Sequence, residues 1–146
     1  LGVQGHCQDG KHWVYFPHKE TSFFRVGFFH NFSDTLAPSG NSSLYAEVSY
    51  SKDKPINRKK ITCQIINDLK GAGIISKKNR ILAYDTNDIK YGYPIYDQHY
   101  SLATMAIKEF LLANNIIVCG RYGSWQYLSM EDALLDGKRV AEEIKL

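Results

Sequence analysis

Arg25 and Arg121 are the residues in this chain best suited to hold an anion. A guanidinium group binds phosphate through two parallel hydrogen bonds, so two arginines and a few hydroxyl donors suffice for a diphosphate. Arg25 is the one charge in Phe23-Phe-Arg-Val-Gly-Phe-Phe29, a run otherwise aromatic or apolar. Two readings of it stand: an edge-strand arginine with its stem packed on phenyl rings, or an anion clamp. Arg121 follows Gly120 just past the apolar run Ile116-Ile-Val-Cys-Gly120. α/β proteins place ligand groups beyond the carboxyl end of a strand, and a glycine there lets backbone approach a ligand. Tyr93, in Gly92-Tyr-Pro94, and Tyr127, just ahead of the last apolar-periodic segment, are phenols that could join such a site or simply pack half-buried.

Other chemistries find less support. Gly71-Ala-Gly-Ile-Ile-Ser76 resembles a dinucleotide fingerprint but lacks the third glycine and follows a helical pattern, where the fingerprint must follow a strand. A helix stop explains it better. None of the five histidines pairs at metal-ligand spacing, and Cys7, Cys63 and Cys119 form no C-x-x-C pair, so no metal is expected. The cysteines read as free thiols in a reducing compartment. Asn31-Phe-Ser33 and Asn41-Ser-Ser43 match the glycosylation sequon, but no secretory signal or membrane-length apolar run accompanies them, and a cytoplasmic protein is expected. A net charge of +3 is too weak to argue for nucleic acid. The basic groups around Lys52–Lys60 and Lys77–Arg80 read as solvated helix ends, without the interleaved aromatics of a stacking platform.

The 146 residues, 44% hydrophobic and 23% charged, suit roughly one ordinary globular domain. Strands are expected at residues 12–16, 23–30, 44–50 and 80–84, where aromatic and β-branched residues gather between turn signals. In the second, Phe24, Val26 and Phe28 should share one face and Phe23, Arg25, Gly27 and Phe29 the other. Helices are expected around Ile61–Leu69, over residues 100–114 with Leu102, Ala106 and Phe110 on one stripe, and from Ser129 onward. Ser129 can cap the last one with Asp132 three residues on, and Met130, Ala133, Leu134, Gly137, Val140, Ala141 and Ile144 form its apolar face. Residues 116–120 read as a buried strand. The class is α+β, with a mostly antiparallel or mixed sheet and helices.

The runs Trp13-Val-Tyr-Phe-Pro17, Phe23-Phe-Arg25, Phe29-His-Asn-Phe-Ser33, Gly92-Tyr-Pro94 and above all Gly120-Arg-Tyr-Gly-Ser-Trp-Gln-Tyr127 resemble UDP-galactopyranose mutases and their flavin-dependent relatives, in order and approximate spacing from about His12 to Gly137. The resemblance implies a carboxyl-terminal part of such an enzyme. Its FAD would be held mainly by a Rossmann-type domain upstream of Leu1. Residues 1–114 would be substrate domain, and residues 115–146 a strand and helix completing the flavin domain. By the same likeness Arg25 would clamp a substrate diphosphate, and Tyr93 and Tyr127 would hydrogen-bond it. Arg121 would lie between flavin and sugar nucleotide, Tyr15 near the uridine end, and Gly120 and Met130 near the flavin. The implied reaction is isomerisation of a UDP-galactose-type sugar nucleotide through a flavin N5 adduct, with Arg25 and Arg121 as its catalytic arginines. The chain alone would bind no FAD, be inactive, and expose apolar surface open to self-association.

Phe32 stands where the closest mutases carry tyrosine, and Ser129 where some carry an acidic residue. Amine-oxidase-like and protoporphyrinogen-oxidase-like flavoproteins share much of the layout, so a sibling oxidoreductase is one alternative. A non-enzymatic binding module is another.

Overall fold

The computed structural model describes residues 1–8 and 10–144. The chain divides into two compact units, Leu1–Asn87 and the remainder from Asp88 onward.

The first unit is a five-stranded antiparallel sheet: β1 (Gly2–Gln4), β2 (Trp13–Tyr15), β3 (Arg25–Phe28), β4 (Asn41–Glu47) and β5 (Ile81–Ala83), ordered β2-β3-β4-β1-β5. Successive side chains alternate across a strand, and here that period separates core from solvent. Val26 lies opposite Val14 and Ala46, and Phe28 opposite Leu44; Val26, Phe28 and Leu44 are almost wholly buried. Helix α1 (Ile61–Gly71) adds Leu69 and, just past its end, Ile74 and Ile75 to the same core. Its stop is a Schellman turn. Gly73 takes φ +70°, Ile74 N–H donates to Leu69 O at 3.0 Å, and Gly73 N–H to Lys70 O at 3.3 Å, so two orphan carbonyls are satisfied. Gly71-Ala-Gly73 is therefore a helix stop.

Two details of β3 differ from the alternation expected of residues 23–30. The strand begins only at Arg25, so Phe23 is free of its period: it is buried, edge-on to Phe16 at 5.0 Å, while Phe24 turns toward solvent. At the other end the chain leaves the sheet in a 3-10 turn, Phe29–Asn31.

The second unit contains α2 (Tyr100–Ala113), the single helical turn α3 (Gly120–Gly123) and α4 (Met130–Glu143). The strand expected at residues 116–120 is not formed. A strand needs a ladder, this unit has no other strand among its described residues, and Ile116 and Ile117 lie half-exposed. Helix α2 ends in a second Schellman turn: Asn115 takes φ +59°, with Ile116 N–H on Leu111 O at 2.9 Å. Its stripe of Leu102, Ala106 and Phe110 is uncovered. Helix α4 begins with the expected capping box, Asp132 N–H to Ser129 Oγ at 3.1 Å and Ser129 N–H to Asp132 Oδ2 at 2.9 Å. The Ser129 hydroxyl, which donates to Asp132 Oδ2 at 2.7 Å, and then the Ser129 amide hold the Asp132 carboxyl below the usual carboxylate range. The covered stripe of α4 is Ala133, Asp136, Gly137 and Val140, narrower than its apolar face; Met130, Leu134, Ala141 and Ile144 are exposed.

Candidate functional site

In the second unit, Gly120 takes φ +73° and turns residues 116–119 into α3, which carries Arg121. The guanidinium of Arg121 donates to Gly92 O and to Leu128 O, each at 3.2 Å. It lies 5.0 Å from the ring centre of Tyr93 and 4.7 Å from that of Tyr127. Those two rings are nearly parallel, 5.8 Å apart at 17°. Each cation–π contact at such a site contributes on the order of 0.5–1 kcal/mol. Among the described residues Arg121 makes no ion pair; carbonyl dipoles and ring faces alone answer its charge. A guanidinium held this way has no carboxylate to neutralise its charge.

The turn that presents Arg121 is braced from several sides. Trp125 takes φ +49°, rare for a bulky residue, and closes a third Schellman turn: Gln126 N–H on Arg121 O at 3.1 Å, Trp125 N–H on Tyr122 O at 3.2 Å. Tyr100 donates its hydroxyl to Trp125 O at 2.6 Å, and Tyr127 N–H donates to the Tyr96 hydroxyl at 2.8 Å. Desolvation raises the Tyr100 phenol above its ordinary value, with neighbouring Tyr96 adding to the shift. From α4, Asp136 Oδ2 accepts Gly120 N–H at 2.7 Å and the Ser124 hydroxyl at 3.3 Å. Its Oδ1 accepts Arg139 Nε at 3.2 Å and a terminal nitrogen of the same guanidinium at 2.7 Å. Arg139 and then the Gly120 amide hold the Asp136 carboxyl below the usual range. Hydrogen bonds to Asp136 and Glu143 in turn raise Arg139.

In the first unit, the solvent face of the sheet carries two rows. One is Tyr15, Arg25 and Glu47, opposed across β2, β3 and β4. Arg25 Nε donates to Glu47 Oε1 at 2.8 Å, a terminal nitrogen joins the same carboxylate oxygen, and the other reaches the Tyr15 hydroxyl at 3.2 Å. Both sides of that pair are about a quarter exposed, Arg25 at 21% and Glu47 at 27%. The second row is Trp13, Gly27 and Tyr45. A Cβ on Gly27 would fall 2.1 Å from the Tyr45 ring, so only glycine lets that ring lie across the sheet. Phe29 packs on Tyr45 at 4.8 Å, and Phe32 on His12 at 4.5 Å.

The sequence-derived residues thus fall into two groups. Tyr93, Arg121 and Tyr127 meet in one cage, with Gly120 at its hinge; Tyr15 and Arg25 meet in the other unit, with Glu47. Met130, first residue of α4, is 87% exposed. Sequence reasoning missed Glu47 and Asp136. Glu47 carried a readable signal, an acid two positions along a strand from the aromatic Tyr45; Asp136 carried another, a lone acid in the stripe Ala133, Gly137 and Val140. Among the described residues no group of three or more His, Cys, Asp or Glu side chains could hold a metal ion, and no disulfide joins Cys7, Cys63 or Cys119.

No family model matches the chain. Among solved structures it is similar to one described as the crystal structure of reduced UDP-galactopyranose mutase, with a TM-score of 0.77 and 28% identity over 86% of this chain. The fold is UDP-galactopyranose mutase-like. The chain spans 27% of the mutase chain it matches, so the likeness concerns about a quarter of that protein. Among the described residues, no helix is long and apolar enough to cross a membrane.

Proposed function

We propose that this chain is the carboxyl-terminal part of a UDP-galactopyranose mutase-like flavoenzyme, in which the Arg121 cage binds the diphosphate of a UDP-galactose-type substrate. The observation that carries this reading is the cage itself: a guanidinium without a carboxylate partner among the described residues, set against the rings of Tyr93 and Tyr127. On the first unit, Arg25 and Tyr15 form an anion contact of their own, with Glu47 holding the Arg25 fork in plane. The protein's part in the reaction is then to orient the sugar nucleotide and stabilise the departing diphosphate by preorganised donors.

FAD fits the residues present only at its edge. Gly120 has open space where a side chain would stand, and Ile116, Ile117 and Met130 offer apolar surface to a flat ring system. The sequence contains no G-x-G-x-x-G to receive the cofactor's phosphates. We therefore assign the main FAD site to an upstream domain, with Gly120, Arg121 and Met130 bordering it. When bound there, the flavin would supply the nucleophile for the anomeric carbon. Alone, the chain is expected to be inactive, colourless and prone to self-association through α2 and α4, in a reducing cytoplasm that keeps Cys7, Cys63 and Cys119 as thiols.

Titrating the chain with UDP, UMP and uridine, followed by NMR of the arginine side chains, tests the reading. The expected order of affinity is UDP over UMP over uridine, and Arg121→Ala should weaken UDP by about tenfold to a hundredfold. Equal affinities for UDP and uridine would overturn it and favour the sibling oxidoreductase, whose substrate is not a sugar nucleotide. Purification of the chain with stoichiometric flavin would overturn the assignment of FAD to an upstream domain.

A further inference from the structure

Residues 120–127 form a turn with an unusual mechanical problem. Two of its residues, Gly120 and Trp125, sit at positive φ, and for Trp125 that conformation is a strain which surrounding contacts must hold. Its carboxyl side is tied by two Schellman bonds and by Tyr100. Its amino side is a helix start whose preceding residue, Cys119, provides no side-chain cap. First-turn amides of a helix have no partner within it, and something must receive them.

Asp136 receives one of them, the Gly120 amide, from sixteen residues away. One carboxylate oxygen takes the Gly120 amide and the Ser124 hydroxyl, the two residues that bracket Arg121-Tyr-Gly123. The other is held by Arg139, which is anchored in turn by Glu143 at 2.8 Å. The Asp136 side chain is 18% exposed, and it stands in the middle of the covered stripe of α4, where an apolar residue would normally serve packing better. An ionised group in that place is best used as a two-pronged acceptor of fixed direction.

We propose that Asp136 is the positioning residue of the Arg121 anion site: it pins both ends of the α3 turn and so sets where the guanidinium stands against the rings of Tyr93 and Tyr127. The proposal rests on the reading of Arg121 as an anion ligand. Without the Asp136 acceptor, Gly120 and Ser124 lose their common anchor and Arg121 leaves the ring pair, although Arg121 and Asp136 do not touch.

The test compares the chain with Asp136→Ala, with Asp136→Asn, which keeps one acceptor oxygen, and with Lys138→Ala, a control on the exposed side of α4. Measured well below the melting temperature, UDP affinity should fall about tenfold or more in Asp136→Ala, partly recover in Asp136→Asn, and stay within about twofold in Lys138→Ala. Uridine affinity should not follow the same pattern. The ring-current shifts that Tyr93 and Tyr127 impose on the Arg121 side chain should collapse in Asp136→Ala. Unchanged Arg121 shifts and unchanged UDP affinity in Asp136→Ala would overturn the proposal. So would a loss equal in Lys138→Ala, which marks a general loosening of α4. If the unaltered chain binds no UDP, the diphosphate reading fails by itself, and the Arg121 shifts still decide whether Asp136 positions that side chain. Should Asp136→Ala not fold, the same shifts in Asp136→Asn decide.

Discussion

The two units of this chain are built on different physical terms, and each carries one of the two arginines. The first is held by burial: Val3, Phe23, Val26, Phe28, Leu44, Leu69 and Ile75 form a continuous, nearly solvent-free cluster. In the second, Val140 is the one buried apolar side chain among the described residues, while Leu102, Phe110, Leu112 and Leu134 are each about two-thirds exposed or more. Hydrogen bonds at helix ends do the specifying there: two Schellman turns, a capping box and the Asp136 anchor. The arginines follow suit. Arg25 has a carboxylate beside it on an ordered sheet; Arg121 has rings and carbonyls. A sheet can present a prepaired arginine whether or not ligand is near, whereas the Arg121 cage depends on a few directional bonds that each matter more.

Trp13 and Trp125, one in each unit, allow the contrast to be read separately by fluorescence after replacing the other with Phe. The largest expected effect is Phe28→Ala. That side chain has no solvent exposure and its removal leaves a cavity, so chemical denaturation followed at Trp13 should show a loss of about 3–5 kcal/mol. Leu134→Ala, at 75% exposure, should stay within about 0.5 kcal/mol when followed at Trp125. A cost for Leu134 above about 2 kcal/mol would mean that its face is covered in solution, and concentration dependence would then identify self-association as the cover.

How much of this was readable in advance depends on whether a feature is local. The period-2 run of β2 and of Arg25–Phe28 within β3, the 3.6-residue stripe of α1, the Gly73 stop and the Ser129–Asp132 box are written within a few residues, and each lies where the pattern puts it, whereas the flanks of β3 at Phe23 and Phe29 do not. Residues 116–119 have a strand's composition, yet composition cannot supply the neighbour that makes a ladder. β1, only Gly2-Val-Gln4, sits between β4 and β5 because of its partners rather than any pattern of its own. In the site, residue type marked Arg25, Tyr93, Arg121 and Tyr127. Their partners Glu47 and Asp136 lie 22 positions from Arg25 and 16 from Gly120, distances over which sequence carries no register. Tyr45 lying across Gly27 was hidden for the same reason.

A middle-sized effect separates capping from burial within the second unit. Ser129→Ala removes the oxygen that receives Asp132 N–H and should destabilise α4 by about 1 kcal/mol, read as a lower Trp125 midpoint. Ser129→Asp, which restores a capping oxygen, should recover most of it. If both substitutions leave the Trp125 midpoint unmoved, the second unit owes its order to packing after all, and its contrast with the first disappears.

The smallest effect is in pH, and its sign follows from Asp132 and Asp136. Both carboxyls are held below their ordinary value of 3.8 in the folded chain, the first by Ser129 and the second by Arg139 and the Gly120 amide. A carboxylate with a depressed folded value binds fewer protons than in the unfolded chain, so its contribution is fully present above the ordinary value and is lost as pH falls through the folded one. Between pH 6 and pH 5 neither group changes its charge and the Trp125 midpoint should be flat with respect to them; below about pH 4 it should fall. Solvent screening keeps the slope shallow, because both carboxylates sit near the surface. Asp136→Asn removes one of the two titrations, so its midpoint should begin lower at pH 6 and decline less steeply on acidification. An acid limb as steep in Asp136→Asn as in the unaltered chain would show that the Gly120 anchor carries no charge-dependent share of the second unit's stability, leaving α3 held by its Schellman bonds and Tyr100 alone.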